Sequence, residues 1–220
     1  MRRVAPKVRT LAGELRSECS LIYARPVVLP GEFVVVRERA RPLAPDERRE
    51  AILDAVLPLL LERGRDVTSR ELAEASGVAE GTIFRAFGDK ESLLEAGLEK
   101  LLDPVPFRTE LRRIPLELPF EEKVACVIEA LRVRFREVFR VMTLFQREGP
   151  PPRRETDNQD WLEILRELFH PDVPRLAVPV DTLAWHLRLV AFGASIEPFN
   201  QARPFDADEL ATVVVHGVVA

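Results

Sequence analysis

An all-α fold is the expectation from this sequence, and three observations carry it. Apolar residues recur at the three- and four-residue spacing of a helix face through most of the chain after residue 45. Capping residues, glycines and prolines punctuate those stretches at helix-length intervals. Only VVLPGEFVVVRER, around Pro30-Gly31, reads as β-prone. The 220 residues are 46% hydrophobic and 31% charged, which supplies a packed core and a charged surface for a small domain plus a larger one.

After an extension over residues 1–42, the first folded stretch is DERREAILDAVLPLLLERG. Ile52, Ala55, Val56, Leu59 and Leu60 give its helix one apolar face, and Gly64 stands at the C-cap. Pro58 inside it removes a backbone bond at a cost of about 3 kcal/mol, which predicts a bend or local loosening held by the neighbouring leucines. Thr68 and Glu71, at capping-box spacing, open a second helix with Leu72 and Ala75 inward. Ser76-Gly77-Val78 makes a tight turn, and Glu80 to Phe87 holds about two turns of a third helix. Gly88-Asp89 breaks that helix. Asp89 then N-caps a fourth carrying Leu93, Leu94, Leu98 and Leu102.

Two helices joined by a tight, Gly-containing turn form a helix-turn-helix, whose second helix fits the DNA major groove. GVAEGTIFRAFGDKESLL, with LAEASGV before it, closely resembles the signature of TetR-type transcriptional regulators. The resemblance holds in motif detail over residues 46–102; beyond them it is one of length and all-helical pattern. It implies a DNA-binding head over residues 43–103 on a larger helical dimerisation and effector domain over 104–220. It also implies DNA-facing positions at Thr68, Ser69, Ala79, Glu80, Thr82, Phe84, Arg85 and Lys90. Arg85 is the base-reading candidate, since its fork can bind guanine O6 and N7 together. Thr82 meets phosphate or a base edge in such proteins. Lys90 follows a helix N-cap, where backbone N–H groups favour a phosphate. Against each stands the alternative of a solvated surface side chain.

Three positions depart from the family pattern. Phe84 stands where tyrosine is frequent, so a hydroxyl-to-phosphate bond is replaced by packing or sugar contact. Ala79 stands where serine or threonine often caps the helix. Glu80 replaces a frequent basic residue; it could accept from cytosine N4, but favouring the helix N-terminus is the preferred explanation.

The net charge of −4 divides as +5 over residues 1–42, −6 over 43–103 and −3 over the rest. An acidic head predicts weak non-specific DNA binding, because phosphate neutralisation supplies most of that affinity. Specific binding then rests on a few placed groups and on dimerisation. Residues 1–42 are either a basic arm reaching DNA phosphates or the minor groove, or else a mobile tail or residues upstream of the true start codon; the latter is preferred, because such arms carry denser Lys/Arg and fewer aliphatics.

Beyond Asp103, four prolines at 104, 106, 115 and 119 predict a broken connector with a short helix around Thr109–Ile114. Val124, Val127, Ile128, Leu131, Phe135, Val138, Phe139, Met142 and Phe145 then hold helical spacing in one long helix, or two with a bend. After the polar GPPPRRETDN loop, Trp161, Ile164, Leu165 and Leu168 define another helix closed by His170-Pro171. The last two run about Val180–Ser195, apolar on most sides, and Ala207–Val218, opened by Asp206 and Glu209. The resemblance implies that this pair meets its copy in a homodimer, offering two reading helices to a palindromic operator on double-stranded DNA.

No enzyme is expected. His170, His186 and His216 are isolated, and no nucleophile elbow or phosphate-cradling loop is present. The two cysteines, Cys19 and Cys126, lie far apart without metal-ligand spacing, so neither a metal site, a cofactor nor a disulfide scaffold is expected. No run of about 20 apolar residues spans a membrane, and a cytoplasmic location fits best. Phe135, Phe139, Met142, Phe145, Trp161, Trp185, His186 and Phe192 are candidate linings for a small apolar or amphipathic effector. Filling a helical core is the competing role for each.

Overall fold

The computed structural model of the chain describes residues 44–147, 156–196 and 203–218. The extension over 1–42, most of the proline-rich loop and Val219 lie outside the described residues. Among the described residues there are nine α-helices and no β-strand. They are α1 (Pro45–Arg63), α2 (Ser69–Ser76), α3 (Glu80–Phe87), α4 (Lys90–Leu101), α5 (Val105–Arg112), α6 (Phe120–Leu144), α7 (Thr156–Phe169), α8 (Val180–Gly193) and α9 (Ala207–Val218). Short 3-10 turns follow α1, over Gly64–Asp66, and α7, over His170–Arg175. No helix among the described residues is long and apolar enough to cross a membrane.

The helices pack as two compact units. One holds α1 to α4 together with residues 137–147, which take in the end of α6. Its core gathers Ile52, Val56 and Leu60 of α1, Leu72 of α2, Ile83 and Phe87 of α3, and Leu93, Leu94 and Leu98 of α4. Val141 and Phe145 close it. A boundary at residue 103 leaves those last two in the C-terminal domain, so the head's unit extends beyond it. Gly64 shows how closely the segments approach. Its φ is +57°, and a Cβ there would stand 2.1 Å from the carbonyl oxygen of Leu144. Only glycine fits.

Two inward assignments are corrected. Ala55 and Ala75 are exposed, and their places are taken by Leu53 and Ala73. In α1 the stripe leans toward the flank that brings more apolar surface to the core, whereas in α2 one alanine takes the place of another. Pro58 interrupts nothing: α1 runs through it to Arg63. Pro58 and Asp54, whose carbonyl loses its donor, are both exposed, so solvent can serve the orphaned oxygen.

The second unit is built on α5, residues 120–136 of α6, and α7 to α9. α5 starts at Val105, four residues before the expected short helix, because a proline in the first helical turn loses no bond that turn would make. α6 is one unbroken helix of 25 residues. Val124, Ile128 and Leu131 on it meet Trp161 and Leu165 of α7, Leu183 and Leu187 of α8, and Val214 of α9. Lys123, only 1% exposed, reaches Asp172 in the 3-10 turn at 2.8 Å. Removing one partner of such a buried pair typically costs about 3–5 kcal/mol. Cys126 is buried, and Cys19 lies outside the described residues. α8 is less wrapped than its apolar character suggests: Trp185 (43%), Leu189 (69%) and Phe192 (40%) leave one flank open, as does Val213 (70%) on α9.

Candidate nucleic-acid interface

The interface grows from the way α2 hands the chain to α3. Thr68 Oγ1 accepts from the Glu71 backbone N–H at 3.2 Å, and Glu71 Oε2 accepts from the Thr68 N–H at 2.8 Å. That box holds the Glu71 carboxyl below the ordinary carboxylate range, first through the Thr68 backbone N–H and then its hydroxyl, with Arg63 and Lys90 adding attraction. Gly77, left-handed at φ 68° and ψ 19°, ends α2, and the Val78 N–H returns to the Ala73 carbonyl at 3.2 Å. The chain thus turns within three residues.

α3 begins after Ala79, which supplies no side-chain cap. Ile83 (2% exposed) and Phe87 (6%), one turn apart, point into the core. By helical geometry Gly81 and Arg85 lie on the opposite side, flanked by Thr82 and Phe84. Phe84 is 40% exposed, and outside the backbone of α3 itself no atom of the described residues lies within 4 Å of a Cβ built on Gly81. Glu80 is exposed in the first turn, where a carboxylate suits the positive end of the helix dipole.

Arg85 stands apart among the basic groups of this unit. Arg63 and Arg65 pair with Glu71 and Glu91, Arg70 with Glu74, and Lys100 with Glu50 and Asp54. Arg49 donates to the Ala86 carbonyl at 2.6 Å, and Lys90 Nζ to the Arg65 carbonyl at 3.2 Å. Arg85 is exposed and has no such partner among the described residues.

The predicted contact residues therefore sit at the starts of α2 and α4 and along α3, with Arg85 in its last turn. Thr68 and Ser69 open α2, with the Thr68 hydroxyl committed to the cap. Ala79, Glu80, Thr82, Phe84 and Arg85 belong to α3 and its cap. Lys90 opens α4, behind Asp89, whose carboxylate accepts from the Ser92 N–H at 2.7 Å. That bond, with the Ser92 side chain second, holds Asp89 below its ordinary range. Sequence reasoning missed Arg49 and Arg65. Arg49 reaches a carbonyl 37 positions away, and no local pattern marks such a bond.

The eight effector candidates divide between the two units. Phe145 fills the core of the head's unit, and Met142 packs against it. Phe139 is half-buried on the same stretch of α6. In the other unit Trp161 meets Trp185 edge-on at 5.6 Å, and Phe135 meets Phe192 at 5.3 Å. The Arg188 guanidinium lies within 5.9 Å of the Phe135, Trp161 and Trp185 rings. His186 is exposed, with Nδ1 2.7 Å from the Thr182 carbonyl of its own helix.

Residues 52–96 match the family model for bacterial regulatory proteins of the tetR family. Over 50 residues the chain is 48% identical to the uncharacterised HTH-type transcriptional regulator YvkB of Bacillus subtilis (strain 168), covering 22% of this chain and 26% of that protein. It is 25% identical over 148 residues to the HTH-type transcriptional repressor KstR2 of Mycolicibacterium smegmatis, covering 60% and 72%. A KstR2 of Rhodococcus jostii is 39% identical over 57 residues, but the match spans only 28% of that protein. A solved TetR-family regulator from Mesorhizobium loti MAFF303099 shares the fold at 14% identity, with a TM-score of 0.53 over 81% of this chain and all of that one.

Proposed function

We propose that this chain, a member of the TetR family of bacterial regulatory proteins, is a sequence-specific DNA-binding repressor that works as a homodimer. The observation that carries the reading is Arg85: exposed, without a partner among the described residues, and on the side of α3 opposite its buried anchors. In the major groove its fork would take guanine O6 and N7. Thr82 and Phe84 would flank it on the DNA, the latter against a sugar or a thymine methyl, while Lys90 would meet a phosphate. The open apolar flank of Trp185, Leu189, Phe192 and Val213 on the last two helices supports pairing with a second copy. Repression follows the described role of KstR2.

The same reading assigns a small apolar or amphipathic effector to the C-terminal unit. Its support is the cluster of Phe135, Trp161, Trp185 and Phe192 around Arg188. Such an effector would release DNA by binding better to the form whose two heads no longer fit it. A second reading, an orphan regulator whose C-terminal unit only dimerises or docks a protein, draws on the scatter of the eight candidates between the two units.

The deciding experiment titrates purified protein against salt on DNA from around its own gene and on random duplex. Preferential binding that Arg85→Ala abolishes and Lys90→Ala weakens is the expected result. Equal affinity for both duplexes overturns the regulator reading. A compound screen read by the same assay separates the two C-terminal readings, since an orphan regulator answers to none.

A further inference from the structure

We infer that Arg49, on α1, is the residue that sets the pose of α3 for DNA reading. This rests on the head being a DNA reader. Arg49 Nη1 donates to the Ala86 carbonyl at 2.6 Å, while its Cζ lies 4.4 Å from the centre of the Phe87 ring. One planar group thus holds two features of the same turn: a backbone acceptor at the helix C-terminus and the buried aromatic that anchors it.

The need for such a clamp follows from how little else fixes α3. The helix has eight residues and no side-chain N-cap, and its buried anchors, Ile83 and Phe87, lie along a single stripe. A short helix held mainly along one line, with only the small Ala86 packed beside it, resists roll weakly. A bond from α1 to its backbone, away from the stripe, removes the freedom. Roll matters here because Arg85 lies on the opposite side, and a bidentate contact demands that both donors meet their acceptors within hydrogen-bond distance and angle.

Arginine is suited to this where lysine is not. A guanidinium stacks its plane on a ring while an N–H in that plane donates, whereas an ammonium keeps the donor and loses the stacking. Arg49 is also half-buried and engaged inward, so its effect on DNA passes through α3 and not through a phosphate.

The test compares wild type, Arg49→Lys and Arg49→Met. The probes are a duplex that wild type enriches from a random-sequence library and a scrambled duplex of equal length, each titrated across salt. Circular dichroism confirms that the variants fold. Arg49→Met is expected to bind the enriched duplex about tenfold more weakly, with Arg49→Lys between it and wild type. Affinity for the scrambled duplex and the salt slope stay at wild-type values. A slope reduced by about one would make Arg49 a phosphate ligand and overturn the inference. So would unchanged affinity for the enriched duplex, or a proportional loss on both duplexes. If wild type enriches no sequence, the reading of the head itself falls and takes the positioning role with it.

Discussion

α2 and α3 are each eight residues long, lie side by side in the chain, and are secured by opposite means. α2 carries its own fastenings: the reciprocal Thr68–Glu71 box at one end and left-handed Gly77 at the other. α3 has an alanine for a cap and a glycine in its first turn, and it depends on Ile83, Phe87 and Arg49 for its place. An isolated helix of this length is unstable in water whatever its caps, so both need the core. The difference is in what remains unspent. α2 uses its polar groups on itself, whereas α3 leaves its outward side free of any intramolecular duty.

The largest effect that would break this contrast comes from the core. Leu72→Ala and Ile83→Ala should each cost about 2–5 kcal/mol in urea unfolding. Hydrogen exchange should then show α2 losing protection in the first variant and α3 in the second, since caps alone hold neither helix. Next, Arg85→Ala should weaken binding to the selected duplex by about 1–3 kcal/mol and leave the unfolding midpoint in place. Loss of stability instead would give Arg85 a structural role.

Smaller changes sharpen the comparison. Thr68→Ala should destabilise by about 1 kcal/mol, and Ala79→Ser should stabilise by a similar or smaller amount, because it grants α3 the cap its neighbour has. Gly81→Ala should add about 0.5 kcal/mol to stability and yet weaken DNA binding, since no protein atom opposes the new methyl but a groove wall would. If affinity holds, Gly81 is not at the interface. The smallest effect is with pH. Glu71 and Asp89 both have folded-state pKa values below the ordinary range, so their contribution is present above that range and lost as pH falls through the lowered values. Amide exchange near the starts of α2 and α4 should therefore quicken on acidification, and the capless start of α3 should not follow.

The parts of this fold that were legible in the sequence are those with local causes. Thr68 and Glu71, Gly77, Gly88 and Asp89 act within a few residues of themselves, and α1 to α4 can be placed from them. α9 likewise opens on Asp206 and Glu209, whose reciprocal bonds are 2.8 and 3.2 Å. Small residues at the edge of a stripe were harder. Ala55 and Ala75 fit the spacing, yet a methyl offers the core little: α1 turns to the larger Leu53, and α2 to Ala73, an equal methyl that spacing does not distinguish. The interface was readable as a set of positions on α3, because Ile83 and Phe87 declare which side is hidden. Its support was not. Arg49 to Ala86 and Lys90 to Arg65 join segments 37 and 25 residues apart, and no periodicity records them. The division of the effector candidates between two cores was hidden for a related reason: aromatic residues mark a buried face without saying which core they fill.

The seat of Gly64 against Leu144 has a consequence for how the molecule is made. α1 to α4 are made well before the residues that complete their core, because Val141 and Phe145 come some 40 positions after α4 ends. Until they arrive, the apolar surface they cover stays open, and the carbonyl that only a glycine can approach is not yet there. Contacts of such long sequence separation form late. The head of a nascent chain is therefore unfinished until Phe145 has been made, and a fragment cut at residue 103 would carry α3 without the segment that completes its foundation.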